Sequence, residues 1–479
     1  MKRLSIILFL VFSICILKSG AKITLPYFIG DNMVLQQNTL TPVWGKASPG
    51  STVKVKTSWN NSVYTAKTSD DGKWKVSIKT TFAGGPYVLS FIEGDKMQEI
   101  ISNVYLGEVW LLGGQSNMEI PMKGYRDQPI DGSTFEILKS SNRNIHWFKV
   151  NRSSSTVKLD TVKNSIWEVA APENTGELSA TGWFFAKFLS EHLNVPIGLL
   201  VCNYGGSTVE AWMRPELLTE YNDYEIPGPG GKIPVPNRTP TTLFNGMLNP
   251  IIGYGMRGCI WYQGESNYIW PERYMKLFPS MVNDWRELWG QGEFPFFYAQ
   301  IAPYEYRILK ESNYVNSAYM RDAQRRIEPL IKNSGMIVLL DAGDSTFIHP
   351  RDKKKVGERF AMLALEKTYD VKTVGMQSPR YKSMEIKGNE IELSFEEVPM
   401  GLSTFGKELV DFEIAGNDKV FKQAKARISS AKVIVTAPEG MSPVAVRYGF
   451  RDYVTGNLKG VNGMPVSTFR TDNWPVDNK

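Results

Sequence analysis

Four short apolar runs in this chain each end in residues that can do chemistry. Residues 109–112 lead into Gly113-Gly114-Gln115-Ser116-Asn117-Met118, and residues 197–202 into Asn203-Tyr204-Gly205-Gly206-Ser207. Residues 259–262 lead into Gln263-Gly264-Glu265-Ser266-Asn267, and residues 336–340 into Asp341-Ala342-Gly343-Asp344, with His349-Pro350 just beyond. Together they supply a hydroxyl, glycine amides, a primary amide and an imidazole with acids nearby. That is the set acyl transfer needs: nucleophile, oxyanion donors, base and orienting carboxylate. Turns after strands are rich in Gly, Ser and Asn for conformational reasons alone, so one tail carries no weight; four in one chain do. Of the three histidines, His146 sits in a strand-like stretch and His192 near the end of a helical pattern, and both read as structural. His349 lies on a loop after Asp344 and before a helical pattern, where a general base belongs. Three scattered histidines do not make a zinc or di-metal site, and no cofactor is expected.

These tails need strands to carry them. Between the apolar runs, Tyr274, Leu277, Met281, Trp285 and Leu288 fall on one helical face, as do Val356, Phe360 and Leu363. Buried strands alternating with amphipathic helices predict an α/β fold with a parallel sheet over residues 104–370, and such sheets bind ligands beyond the carboxyl ends of their strands. Within it, residues 215–240 hold six prolines and read as a long irregular loop, a type often functional. Residues 22–103 alternate apolar and polar with period two, with Asp70-Asp71-Gly72 where a hairpin turn would go. Alternation returns in residues 371–479, where Met384 and Ile386, a Lys387-Gly388-Asn389 turn, then Ile391, Leu393 and Phe395 predict a hairpin. The expected order is β domain, α/β domain, β domain, without internal repeats.

Composition removes several other classes. The chain has 479 residues, enough for about three domains, and its 42% hydrophobic and 22% charged residues are those of a globular protein rather than a disordered or fibrous one. A formal charge of +6 without a basic block does not suit nucleic acid; Lys353-Lys354-Lys355 reads as a solvated helix start. Residues 1–21 read as a cleaved signal peptide: Lys2 and Arg3, an apolar run over 4–17, then Ser19-Gly20-Ala21. Ile14 before Cys15 does not suit a lipid anchor. No other segment stays apolar for the roughly 18 residues a membrane span requires, so a secreted or periplasmic protein is expected. Cys202 and Cys259, each in an apolar run, read as buried structural thiols.

Gly114-Gln115-Ser116-Asn117-Met118, the segment from Asn245-Gly246-Met247 to Trp261-Tyr262-Gln263-Gly264-Glu265-Ser266-Asn267, and Ile348-His349-Pro350-Arg351 resemble the signatures of the sialate O-acetylesterase family, within the SGNH hydrolase superfamily. The likeness runs from Gly30-Asp31-Asn32-Met33 to Phe469-Arg470-Thr471-Asp472. It implies an SGNH-like parallel-sheet domain flanked by N-terminal and C-terminal β domains, Ser116 as nucleophile, His349 as base, and Gly206, Gln263 and the Ser116 amide at the oxyanion. It also shows a departure: the superfamily has an Asp three residues before the histidine, where this chain has Thr346. The orienting acid is then Asp344, Asp341, a carboxylate from elsewhere or none, with Asp344 the first choice. Trp212, Glu265 and Arg351 are expected to contact the sugar, and Arg214 is a further candidate for a substrate carboxylate. The resulting expectation is a metal-independent serine esterase removing acetyl groups from sugars, O-acetylated sialic acid first, acetyl-xylan or another plant polysaccharide as the alternative. A glycosidase using Glu119 and Glu265 would leave Ser116, Gln263 and His349 idle. A non-catalytic glycan-binding protein is the reading from another class. Oligomeric state is open.

Overall fold

The structure is a computed structural model and describes residues 22–476; the expected signal peptide lies outside them. One strand organises the fold. Lys96–Gly114 pairs in its first half with Gly84–Glu93, antiparallel, and with Val34–Gln36, parallel; its second half is the centre of a second, largely parallel array. Across that array the order is Ser334–Ile337, Phe296–Ala299, Gly258–Tyr262, Lys96–Gly114, Ile197–Asn203, Asn142–Lys149 and Trp167–Ala170. Every neighbouring pair is parallel except the last. The residue 103/104 boundary expected between the first two domains falls inside this single strand.

The apolar runs are strands because they are buried on both faces, as a covered parallel sheet demands. Alternate residues of the central strand serve opposite cores: Trp110 and Leu112 pack with Phe185, Phe297 and Phe360, while Val109 and Leu111 join the cluster of Trp261, Phe278, Trp285 and Phe296. Helices Ala180–Leu193 and Lys353–Thr368 cover the first face; Pro271–Trp289 covers the second, burying the predicted Tyr274, Leu277, Met281 and Trp285. Asp352 caps its helix by accepting from the Lys355 amide at 3.0 Å. Lys353, read from sequence as solvated, is fully buried, for a reason that belongs to the site.

Additional β-sheets lie at both ends of the described chain. The Gly388-Asn389 hairpin joins Arg380–Lys387 to Glu390–Glu396, with Ile386 opposite Ile391, as the alternation predicts. The Asp70-Asp71-Gly72 turn also forms, but it does not close a hairpin. Lys73–Lys79 pairs with the distant Leu40–Lys46, while Val63–Lys67 pairs with Thr52–Thr57. The C-terminal strands are tied to the α/β region through Arg321, fully buried, which donates to the carbonyls of Gly449 (3.1 Å) and Asp452 (3.0 Å) and to Thr468 Oγ1 (2.9 Å). Cys202 and Cys259 are buried and free. Among the described residues no helix is long and apolar enough to cross a membrane.

Candidate active site

The chain starts the parallel array at its centre, moves to one side through Asn142–Lys149 and Ile197–Asn203, and then crosses to the other. The carboxyl ends of the three middle strands therefore surround a topological switch point, where open α/β sheets bind ligands. The central strand stops at Gly114, whose φ is +131°; a Cβ there would lie 2.2 Å from the Tyr262 carbonyl oxygen, so only glycine lets the chain turn this close to its neighbour. The turn delivers Ser116 to the start of the short helix Ser116–Glu119.

Ser116 Oγ lies 2.8 Å from His349 Nε2. The other ring nitrogen, Nδ1, meets Gln128 Oε1. Burial, and the nearby positive charge of Lys353, push the imidazole down to about 4, so it is neutral near pH 7. An amide oxygen can only accept, which fixes the tautomer: Nδ1–H donates to Gln128, and Nε2 accepts from the serine hydroxyl.

Neither expected acid reaches the histidine. Asp344 Oδ1 accepts from the amides of Thr346 (2.8 Å) and Phe347 (3.1 Å) and from Thr346 Oγ1 (2.8 Å), closing a turn on its own backbone. Asp341 is held by Arg359 at 2.7 and 2.9 Å and by Lys459 at 3.0 Å, which lower it to about 2 against the opposing effect of burial. Gln128, on the loop after the nucleophile helix, carries no sequence signal that separates it from any other loop glutamine.

Glu119, itself buried, fixes the glycine loop. Its Oε2 accepts the Gly205 amide at 2.7 Å, and both oxygens take the Arg152 guanidinium at 2.7 and 2.6 Å; Tyr125 Oη donates to it at 3.3 Å. Gly205 has no room for a side chain, since a Cβ would sit 2.9 Å from Glu119 Oε2 and 3.5 Å from Ser116 Cβ. The amides of Ser116 and Gly206 donate to no acceptor among the described residues. Gln263, expected at the oxyanion, spends its two N–H donors on the Ser207 carbonyl (3.1 Å) and Asn267 Oδ1 (2.6 Å).

On the core side, Asn117 Nδ2 donates to Glu265 Oε1 (2.5 Å) and to the carbonyl of Ile348, next to the histidine, while its Oδ1 accepts from Lys353 Nζ. This explains the burial of Lys353: it braces the nucleophile turn from below, and desolvation pushes it down to about 7. Glu265 is 5% exposed, and burial raises its carboxyl. It faces Asn117, not a sugar. Trp212 is also displaced from its expected role: it is fully buried, its Nε1–H bonded to Ser207 Oγ at 3.0 Å and its ring edge-on to Trp261. Arg214 is paired with the buried Asp284. Arg351 is half exposed, 3.9 Å from Asp131. Arg152, which the sequence did not single out, is a half-exposed cation beside the glycine loop. Among the described residues no group of three His, Cys, Asp or Glu side chains could hold a metal ion.

The model of the carbohydrate esterase, sialic acid-specific acetylesterase family matches residues 106–366. The chain belongs to this family. It is therefore an esterase, and the matched span covers the strands and loops just described. A crystal structure of a carbohydrate acetylesterase from Xanthomonas citri is 33% identical, with a TM-score of 0.86, over 94% of this chain and 100% of that one. The mouse sialate O-acetylesterase is 28% identical over 75% of this chain and 76% of its own length. The human sialate O-acetylesterase is likewise 28% identical, over 75% and 73%.

Proposed function

We propose that this acetylesterase is an exported SGNH-type hydrolase, flanked by its β domains, that cleaves sugar O-acetyl esters through Ser116 and His349. The observation that carries the reading is the 2.8 Å contact between Ser116 Oγ and the lone pair of a neutral imidazole. Ser116 attacks the acetyl carbonyl as His349 Nε2 takes its proton. The tetrahedral oxyanion meets the amides of Ser116 and Gly206, donors of the kind worth about 3 kcal/mol each. His349 then protonates the departing sugar oxygen, leaving acetyl-Ser116. Water, deprotonated by the same nitrogen, releases acetate and restores the serine. Gln263 serves indirectly, holding the Ser207 turn behind Gly206. Gln128 orients the ring without a second charge, so the catalytic unit is a dyad.

O-acetylated sialic acid is the first substrate. The mammalian relatives are named for it, and the half-exposed Arg152, whose Nη2 lies 3.8 Å from the point where a Gly205 Cβ would stand, offers a substrate carboxylate its partner. A neutral plant-type polysaccharide ester is the second reading; the Xanthomonas relative is described as a carbohydrate acetylesterase, a class that is not restricted to sialic acid. The test is acetate release from 9-O-acetyl sialic acid and from acetyl-xylan. Ser116→Ala should lose about four to six orders of magnitude in kcat on the better substrate, whereas Asp344→Asn should stay near wild type. A Ser116→Ala protein with near-normal turnover would refute the mechanism, and tenfold faster release from xylan would move the substrate.

A further inference from the structure

A cavity beside the glycine loop takes no part in the acetyl chemistry above. It encloses about 850 Å³ between the proline-rich loop and the start of helix Pro271–Trp289, a size typical of ligand sites. Thr208 and Asn267 form part of its wall, and Arg238, also lining it, donates from Nε to the Gly206 carbonyl at 3.3 Å. The cavity thus borders the residue whose amide faces the oxyanion.

Its furnishing is specific. Trp270 is 47% exposed, unusual for an indole in this molecule. The Arg273 guanidinium stands 5.1 Å over that ring, 5.3 Å over Tyr221 and 5.1 Å over Tyr224, and bonds Asp223 at 2.8 Å. Tyr224 Oη in turn donates to Glu210 at 2.6 Å. The acids of the lining, Glu210, Asp223 and Glu225, are matched by Lys232, Arg238 and Arg273. An anionic or cationic ligand would gain little from so balanced a wall. A sugar presents an apolar C–H face that an indole can cover, and paired hydroxyls that planar carboxylate, amide and guanidinium groups can bridge.

We propose that this cavity binds the neutral sugar units flanking the acetylated residue, so that the substrate is an acetylated oligosaccharide or polysaccharide rather than a free acetylated monosaccharide. The proposal rests on the esterase reading but not on which sugar carries the ester. The test compares kcat/KM for acetate release along two probe series: monoacetylated xylose against acetylated xylotetraose, and free 9-O-acetyl-N-acetylneuraminic acid against the same sugar linked to lactose. In at least one series the wild-type enzyme should favour the longer probe about tenfold or more. Trp270→Ala should bring that ratio close to one through KM, and Trp270→Phe should restore part of it. A wild-type ratio near one in both series, or a ratio that Trp270→Ala leaves intact, overturns the subsite. Hydrolysis of 4-nitrophenyl acetate without release from any glycan also overturns it while sparing the Ser116–His349 chemistry. Loss of all ester hydrolysis would instead remove the esterase reading itself.

Discussion

Glu119 and Glu265 flank the same turn, both buried, and differ in how fully they are bonded. Glu119, 7% exposed, accepts from Arg152, Tyr125 and the Gly205 amide. Glu265, toward the core, accepts only from Asn117; its Oε2 has no partner among the described residues, and the charge of Lys353 acts on it through space. A saturated carboxylate can hold a backbone amide in place, because moving it breaks several charge-assisted bonds at once. A desolvated carboxylate with one bond is costly to charge and positions only what touches it. In the proposed mechanism Glu119 would hold the oxyanion geometry, and Glu265, with Lys353, would bear on how the turn responds to pH.

The sharpest break of this contrast is to remove each acid. Glu119→Ala should lower kcat on 4-nitrophenyl acetate about a hundredfold or more, the scale of a displaced oxyanion donor. Glu265→Gln, which keeps the oxygen facing Asn117, should cost much less. Equal losses would end the distinction.

A smaller effect is expected where a charge is brought to the histidine. With His349 as the proposed neutral base, wild-type kcat/KM should fall as pH drops through about 4. Gln128→Glu puts a carboxylate at Nδ1, which favours imidazolium, and the acid limb should move upward by about one unit or more. A limb that stays in place would mean that the Nδ1 partner does not tune the base.

The smallest effect is on stability. Burial pushes folded Lys353 down to about 7 from an ordinary 10.5, so between those values the unfolded chain should bind a proton that the folded chain does not. Wild-type stability gains from this group as pH rises through that window; Lys353→Met removes the gain. The melting temperature of the Met variant minus that of wild type should be most positive at and below pH 7 and decline by a few degrees toward pH 10. A difference constant with pH would show that Lys353 is not the titrating group.

What the sequence made legible follows from how each signal is encoded. Ser116 and His349 stood out because apolar runs ending in Gly, Ser or a lone His are local patterns, and the structure brings the two together. The same holds for the 388–389 hairpin, whose strands are adjacent in the chain. Alternation before and after Gly72 gave the strands and their inward faces but not their partners, since Leu40–Lys46 lies some thirty residues from its mate and pairing at that range leaves no local mark. Asp344 was misleading because an Asp shortly before a His serves equally well to close a turn. Trp212 was misleading because Ser207 satisfies its indole N–H, allowing complete burial. Arg152, Gln128 and Trp270 sit in loops or at a helix start, where no periodicity ranks one side chain above another.

The long strand Lys96–Gly114 has a consequence for cooperativity. Its residues are held in regular register with Val34–Gln36 at one end and with Ile197–Asn203 and Gly258–Tyr262 at the other, while the ladder to Gly84–Glu93 carries three register shifts. A slip of one residue in the regular stretch from Tyr105 to Gly114 would turn Trp110 and Leu112 away from their core and carry Gly114 out of its fit against Tyr262. The N-terminal sheet thus acts as an anchor for the registry of the nucleophile. A truncation before residue 104 would not release a smaller esterase; it would cut through the element that both sheets share, and the two should melt as one.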